Sequence, residues 1–295
     1  MAKGHHLTRP LILLLLLSLT LTSTLSFTPS LPYHVQTRLN TITPATQSKS
    51  LSLQLPTSRS SPSLPPRART YSLRPLHSTK GSEEADEFVP SVAASVVAGQ
   101  SLFIPLSLAI GAIAKLKLIS VPASELSASV VGGLYYTLPL CAFVLVTSAM
   151  ERFIPPLKKV AEATESTILA LLGSKRRLLT SVIFAAALGS VAGLGEELLF
   201  RGCIQQGLGM YLPQLPSLLL TSFLFALGHA VTPLYALISF IASMYFGWVY
   251  LSTGDLLIPI ISHSLYDMVA VIATHWLVTG KTREERDALR KIGQN

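Results

Sequence analysis

Long apolar runs separated by short polar connections dominate the chain from residue 92 to residue 278. A run of about 20 apolar residues is long enough to cross the hydrocarbon core of a bilayer as a helix. The pattern therefore predicts an all-α fold, a polytopic membrane helix bundle of about six transmembrane helices, with a range of six to eight. The six predicted helices are Val92–Ala114 with a possible kink at Pro105, Ala128–Met150, Leu178–Ile204, Pro216–Ala230, Leu234–Leu251 and Leu256–Val278.

Two polar segments flank the C-terminal runs. Residues 151–177 combine basic side chains with apolar positions at roughly helical spacing, which predicts an interfacial basic amphipathic helix on the membrane surface. Residues 281–295 alternate in charge and predict a solvated helical tail. Because four runs separate these segments, both fall on one side, which the positive-inside rule identifies as the stroma or cytoplasm.

Charge is distributed unevenly along the chain. Only 13% of the 295 residues are charged, against about 25% in soluble domains. The formal charge of +8 belongs to residues 1–82, which carry nine Lys or Arg and no acid, whereas the remainder sums to −1 (14 basic, 15 acidic). The folded part thus has no basic surface suited to nucleic acid. Cys141 and Cys203 lack metal-ligand spacing and are typical of small buried residues.

The N-terminal 82 residues are typical of targeting segments. Residues 1–26 have a basic start and a short apolar core, which favours a secretory signal over a first membrane helix. Residues 27–82 are rich in Ser, Thr, Pro and Arg, as in a transit peptide, although a disordered basic tail is the alternative. Together they resemble the bipartite presequences of algae with complex plastids. We therefore expect an integral plastid membrane protein, in the thylakoid or inner envelope, with the endomembrane system as the alternative.

The third run contains Glu196, Glu197 and Arg201 among Leu, Ala, Val and Gly residues. A charged side chain at membrane depth costs about 2.5–3.5 kcal/mol on insertion scales, so such residues usually have a function. Arg201 lies one helical turn after Glu197 and can neutralise it. Glu196 points about 100° away and needs a partner from another helix.

Two later runs supply candidate partners, His229 in one and the i, i+4 pair His263 and Asp267 in the other. Taken singly, a membrane histidine is more often a packing element, and a His–Asp or Glu–Arg pair can be structural. Three helices with ionisable groups at membrane depth nevertheless favour convergence on one polar cavity, because unpaired groups there are costly. A carboxylate and two imidazoles in one cavity are typical of a hydrolytic site.

The series Glu196-Glu197-x-x-x-Arg201, Phe225-x-x-x-His229 and His263-x-x-x-Asp267 resembles the three-motif signature of the CAAX prenyl protease 2 and bacteriocin-processing family (CPBP, or Abi). These are glutamate-dependent intramembrane endopeptidases, and the resemblance covers residues 178–278. It implies that Glu196 is the general base, that His229 holds the water and that His263 stabilises the oxyanion. Glu197 and Arg201 are then expected to orient the site and clamp the helices.

Asp267 departs from this pattern, because the prenyl proteases have Asn at that position. An ionised Asp cannot donate to an oxyanion, so Asp267 is protonated, or orients His263, or marks a site that no longer cuts CAAX peptides. No resident cofactor is expected. A zinc site of Glu196, His229 and His263 is the lesser alternative, and the sequence has no His-Glu-x-x-His motif.

Two functions remain open at this point. The first is an endopeptidase acting on a membrane-bound protein or peptide. The second is a non-catalytic scaffold or chaperone of plastid membrane proteins. In both cases the protein is embedded in the lipid bilayer. A transporter is disfavoured, since the chain has no internal repeat.

Overall fold

The computed structural model describes residues 87–119 and 121–292, and this part of the chain is helical without β-strands. The predicted all-α membrane bundle is confirmed. The segments predicted as signal (1–26) and transit peptide (27–82) lie outside the described residues. The α-helices are α1 (Pro90–Ser101), α2 (Phe103–Ala114), α3 (Leu126–Met150), α4 (Pro155–Leu172), α5 (Leu178–Glu197), α6 (Gln206–Gly209), α7 (Gln214–Gly228), α8 (Pro233–Thr253), α9 (Leu257–Gly280) and α10 (Arg283–Ile292).

Five helical stretches in the described residues are long and apolar enough to cross a membrane, which makes the chain an integral membrane protein. They are Pro90–Ala114, Ala123–Met150, Leu178–Gly209, Pro233–Thr253 and Leu257–Gly280. The remaining predicted helix, Pro216–Ala230, corresponds to α7, which has 15 residues. At 1.5 Å per residue it is too short to cross about 30 Å of hydrocarbon unaided.

The first spanning stretch is broken at Leu102, between α1 and α2. Sequence analysis placed a possible kink at Pro105, three residues later. The offset has a physical cause: Pro105 has no N–H to donate to the carbonyl of Ser101, and its ring clashes with that carbonyl. The interruption of the helix thus falls in the turn that precedes the proline, and a kink at Pro105 stays a prediction.

Helix α5 packs most extensively against α9, and two glycines allow the close approach. A Cβ atom at Gly189 would lie 2.7 Å from the carbonyl oxygen of Ser264. One at Gly193 would lie 2.7 Å from the Ser264 nitrogen. Small residues at such interfaces let two membrane helices pack backbone to backbone. Because His263 is the neighbour of Ser264, this contact fixes its position along the helix axis relative to the end of α5.

We expect Gly193→Ala to destabilise the bundle by about 1–3 kcal/mol, the usual range for overpacking a tight contact. The added methyl group meets backbone atoms, which cannot swing away as a flexible side chain can. Gly209→Ala is the matched control, because a Cβ atom there has no neighbour within 4 Å. Thermal unfolding in detergent compares the two, and equal melting temperatures would show that α5 and α9 are not held this closely.

The helix of α5 continues through a π-helical segment, Leu198–Gln205, before it reaches α6. All eight residues of this segment are buried. π-Helical turns are rare and occur frequently at functional sites. Here the π-helical segment begins directly after Glu197 and includes Arg201. The charged motif therefore starts in an α-helix and ends in a π-helix.

Helix α4 occupies the centre of the segment predicted to be an interfacial helix, and it ends at Gly173, whose φ of 72° requires glycine-like freedom. Its C-terminal half is buried against the protein, where Leu169 packs with Val278 and Leu289. The tail helix α10 is held there by a Ser166 Oγ–H bond to the Leu289 carbonyl. The membrane-surface position of α4 remains a prediction.

Candidate active site

The end of α5 presents two carboxylates in different surroundings. Glu197 is fully buried, and its Oε1 accepts a hydrogen bond from Arg201 Nη1 at 2.9 Å. Arg201 Nη2 also donates to the carbonyl and hydroxyl oxygens of Ser243 on α8, at 2.7 and 2.8 Å. The Glu197–Arg201 pair therefore clamps the π-helical segment to α8.

His263 completes this clamp from α9. Its Nδ1 lies 2.9 Å from the same Oε1 of Glu197, in the geometry of an N–H donating to a carboxylate. The ring stacks on Phe246 of α8, with centroids 4.6 Å apart. One carboxylate oxygen thus ties together α5, the π-helical segment and α9, and it leaves the Nε2 of His263 facing away from Glu197.

Glu196 faces the Nε2 atoms of both sequence-predicted histidines. Its Oε2 is 3.8 Å from His229 and 4.0 Å from His263. His229 directly follows α7, stacks on Phe225 with centroids 4.2 Å apart, and has its Nδ1 2.8 Å from the Phe225 carbonyl. Since a carbonyl only accepts, Nδ1 carries the proton, and in a neutral ring the Nε2 lone pair faces Glu196.

Asp267 lies one turn beyond His263, with its Oδ2 3.5 Å from His263 Nε2. The structure therefore brings all six sequence-predicted residues into one cluster. The cluster draws on three separate helical regions, α5 with its π-helical extension, the end of α7, and α9. The arrangement provides a carboxylate and imidazole nitrogens a few ångströms apart, which is the equipment for moving protons to and from a bound water.

A pocket of about 250 Å³ opens beside Glu196 and His229. One wall is a stripe of α4 at helical spacing, Val160, Ala163, Thr164 and Thr167, and the others come from the α1–α2 junction and the start of α8. The sequence analysis predicted none of these walls. The sequence predicted only that residues 151–177 form an amphipathic helix on the membrane surface, which does not say that one of its faces lines a pocket. Tyr235, six residues after His229, carried no periodic signal.

The described ranges 87–119 and 121–292 contain no group of three His, Cys, Asp or Glu side chains arranged to hold a metal ion. The zinc site of Glu196, His229 and His263 stays the lesser alternative, which the chelator arm of the experiment proposed below tests. Cys203 is buried and free, and its thiol lies 3.3 Å from the carbonyl of Ser107.

The described helices form a membrane bundle with a buried centre of Glu196, His229 and His263. Comparison with family models shows that residues 178–269 match the type II CAAX prenyl endopeptidase Rce1-like family. The resemblance predicted from the three motifs is confirmed over this segment, which is about a third of the chain. Helices α1 to α4 lie outside the match. Comparisons with curated proteins and with solved structures found no match.

Proposed function

We propose that the chain is an intramembrane endopeptidase in which Glu196 activates a water molecule for attack on a peptide carbonyl. The observation that carries this proposal is the position of Glu196. Its side chain is only 7% exposed, yet it lines the pocket and faces two imidazole nitrogens. The family match, whose description is that of an endopeptidase, supports the same class of reaction.

Water activation follows from the hydrogen-bonding roles of Glu196 and His229. Both Oε2 of Glu196 and the unprotonated Nε2 of His229 are acceptors, so a water between them can donate one hydrogen to each. As the water oxygen bonds to the substrate carbonyl carbon, Glu196 takes the water's proton. When the C–N bond breaks, the same proton passes to the departing amine, which leaves Glu196 ionised for the next cycle.

His263 is the proposed donor to the oxyanion that forms on the carbonyl oxygen. Glu197 accepts from Nδ1–H and so fixes the ring. In the role proposed, His263 is an imidazolium among the carboxylates of Glu196, Glu197 and Asp267, and its second N–H, on Nε2, points into the site. A donor held in place before the reaction needs no reorganisation when charge develops. Arg201 acts through Glu197, since it has no direct contact with the pocket.

The substrate class proposed is a membrane-bound protein or peptide in a plastid membrane. Asp267 bears on whether the peptide is prenylated, because the prenyl proteases have Asn at this position. Its carboxylate lies 3.5 Å from His263 Nε2. A negative charge beside the developing oxyanion opposes its formation, with about 3 kcal/mol of repulsion for unit charges 5 Å apart at an effective dielectric of 20. An ionised Asp267 therefore makes the oxyanion harder to form than a neutral amide at the same position would.

We expect Asp267→Asn to raise kcat by about tenfold, because it removes this repulsion and adds an N–H donor. Steady-state kinetics on a cleaved peptide test the change. Asp287→Asn on α10 is the control for a lost carboxylate elsewhere, since Asp287 is a half-exposed partner of Arg290. A kcat that falls tenfold or more would show instead that the carboxylate is needed to orient His263.

The second candidate function is a non-catalytic scaffold or chaperone for plastid membrane proteins. Asp267 favours it, as does the fully buried Glu197–Arg201 clamp, which would hold the bundle with or without catalysis. In that case the pocket would bind a partner segment and cleave nothing.

The deciding experiment uses the purified full-length chain in liposomes and a library of quenched peptides, with and without a zinc chelator. The endopeptidase proposal predicts cleavage that survives the chelator. Cleavage that stops with the chelator and returns with zinc would make the enzyme a metalloprotease. A folded, thermally stable chain that cleaves no library member, and that copurifies with a membrane protein, would favour the scaffold.

A further inference from the structure

The pocket contains hydroxyl groups that the reaction described above does not use. Two of them, on Thr164 and Thr167 of α4, donate to carbonyls of their own helix at 3.0 Å. A third, on Thr232, accepts from the backbone N–H of Tyr235 at 3.1 Å. The phenolic hydroxyl of Tyr235 differs from these, because it has no hydrogen-bond partner within residues 87–119 and 121–292.

Tyr235 lies close to the reacting groups. Its side chain lines the same pocket as Glu196 and His229. Glu196, in this pocket, has its Oε2 4.0 Å from His263 Nε2, which in turn lies 3.5 Å from the Oδ2 of Asp267. A phenol is an uncharged donor at neutral pH, so it can sit beside these carboxylates and still offer a proton to a developing negative charge.

The backbone holds Tyr235 firmly in this position. It lies in the first turn of α8, where Thr232 caps the helix and Pro233 is the first helical residue. Capping and an initial proline both stabilise a helix start. Further along α8, Ser243 is bonded to Arg201, so the helix that carries Tyr235 is attached to the charged motif.

Gln100 is the other polar side chain of the pocket with no assigned role, but it is a weaker candidate. Its Oε1 is buried without a partner among the described residues, so the acceptor end of the amide faces protein. Among the described residues, no side chain of α1 hydrogen-bonds to the charged motif, whereas Ser243 of α8 bonds to Arg201.

We infer that Tyr235 is a further catalytic residue, whose hydroxyl donates a hydrogen bond to the oxyanion of the tetrahedral intermediate alongside His263. The inference rests on the proposed endopeptidase function. It gives the site a second donor on the pocket side, where Asp267, when ionised, can only accept. No bond to Tyr235 is made or broken, and its proton stays on the phenol.

Tyr235→Phe tests this role, since it removes one oxygen atom and keeps the ring. Loss of one oxyanion donor lowers kcat by about 10²-fold, and we expect that loss with KM changed less than threefold. A peptide phosphinate, which mimics the tetrahedral intermediate, should bind the variant more weakly by a similar factor. Tyr211→Phe is the matched control, because Tyr211 is 53% exposed and lies outside the pocket.

The outcomes separate this inference from the proposed function. Cleavage by the wild type, with Tyr235→Phe matching it in kcat and phosphinate affinity, would overturn the role of Tyr235 and leave the endopeptidase standing. An equal rise in KM and in the phosphinate inhibition constant, with kcat unchanged, would make Tyr235 a substrate contact and also overturn it. A wild type that cleaves nothing would overturn both proposals.

Discussion

Glu196→Gln is expected to lower the rate of peptide cleavage by about 10³-fold, within the range for loss of a general base. The amide has the shape of the carboxylate and can still hydrogen-bond to a water, but it cannot accept the water's proton. Because Glu196 lies 3.8 and 4.0 Å from the two histidines, without a direct hydrogen bond to either, its replacement should leave the fold intact. Initial rates in liposomes measure the effect.

The control for this prediction is Glu125→Gln, the same chemical change at an exposed glutamate before α3. Both variants should unfold at the wild-type temperature, and only Glu196→Gln should lose activity. Retention of more than a tenth of the wild-type rate by Glu196→Gln would remove Glu196 from the role of base.

Arg201→Met is expected to produce the largest loss of stability, about 3–5 kcal/mol, the usual cost of breaking a buried ion pair from one side. Methionine fills much of the space but leaves the Glu197 carboxylate uncompensated in a fully buried position. One oxygen of that carboxylate, Oε2, already has no hydrogen-bond partner in the part of the chain that the structure describes. Denaturant or thermal unfolding in detergent measures the loss.

A second substitution distinguishes lost charge compensation from lost packing. Glu197→Gln combined with Arg201→Met removes both charges, and we expect it to recover at least half of the lost stability. Arg283→Met, at an exposed position on α10, controls for the substitution itself. If the double variant is less stable than Arg201→Met, the buried charge on Glu197 is not the source of the penalty.

The polar centre was largely predictable, because charged residues in apolar helices have few ways to be satisfied. Glu197 and Arg201 are one turn apart, and Glu196 required partners from other helices, for which the motif spacing indicated His229 and His263. Sequence alone could not show that one oxygen of Glu197, Oε1, accepts hydrogen bonds from both Arg201 and His263. That detail depends on the depth at which α9 lies against α5, which two glycines set.

The parts that sequence analysis missed depend on packing between helices with no charge pattern. The π-helical segment Leu198–Gln205 is fully buried, and the sequence analysis found no signal that distinguishes it from a continuation of the α-helix. The stripe of α4 that lines the pocket was not predicted, because an amphipathic pattern does not reveal what covers each face of the helix. Helices α1, α2 and α4 lie outside the family domain yet form pocket walls. We therefore expect substrate choice to depend on them.

The most direct test of the central claim is cleavage in water enriched in oxygen-18, with the mass of the new C-terminal carboxyl group read in a single turnover. Direct attack by a Glu196-activated water predicts one heavy oxygen per product from the wild type, no mass-shifted enzyme, and no product from Glu196→Gln. Labelled product at the same rate from Glu196→Gln, or a peptide covalently attached to the enzyme, would contradict the account.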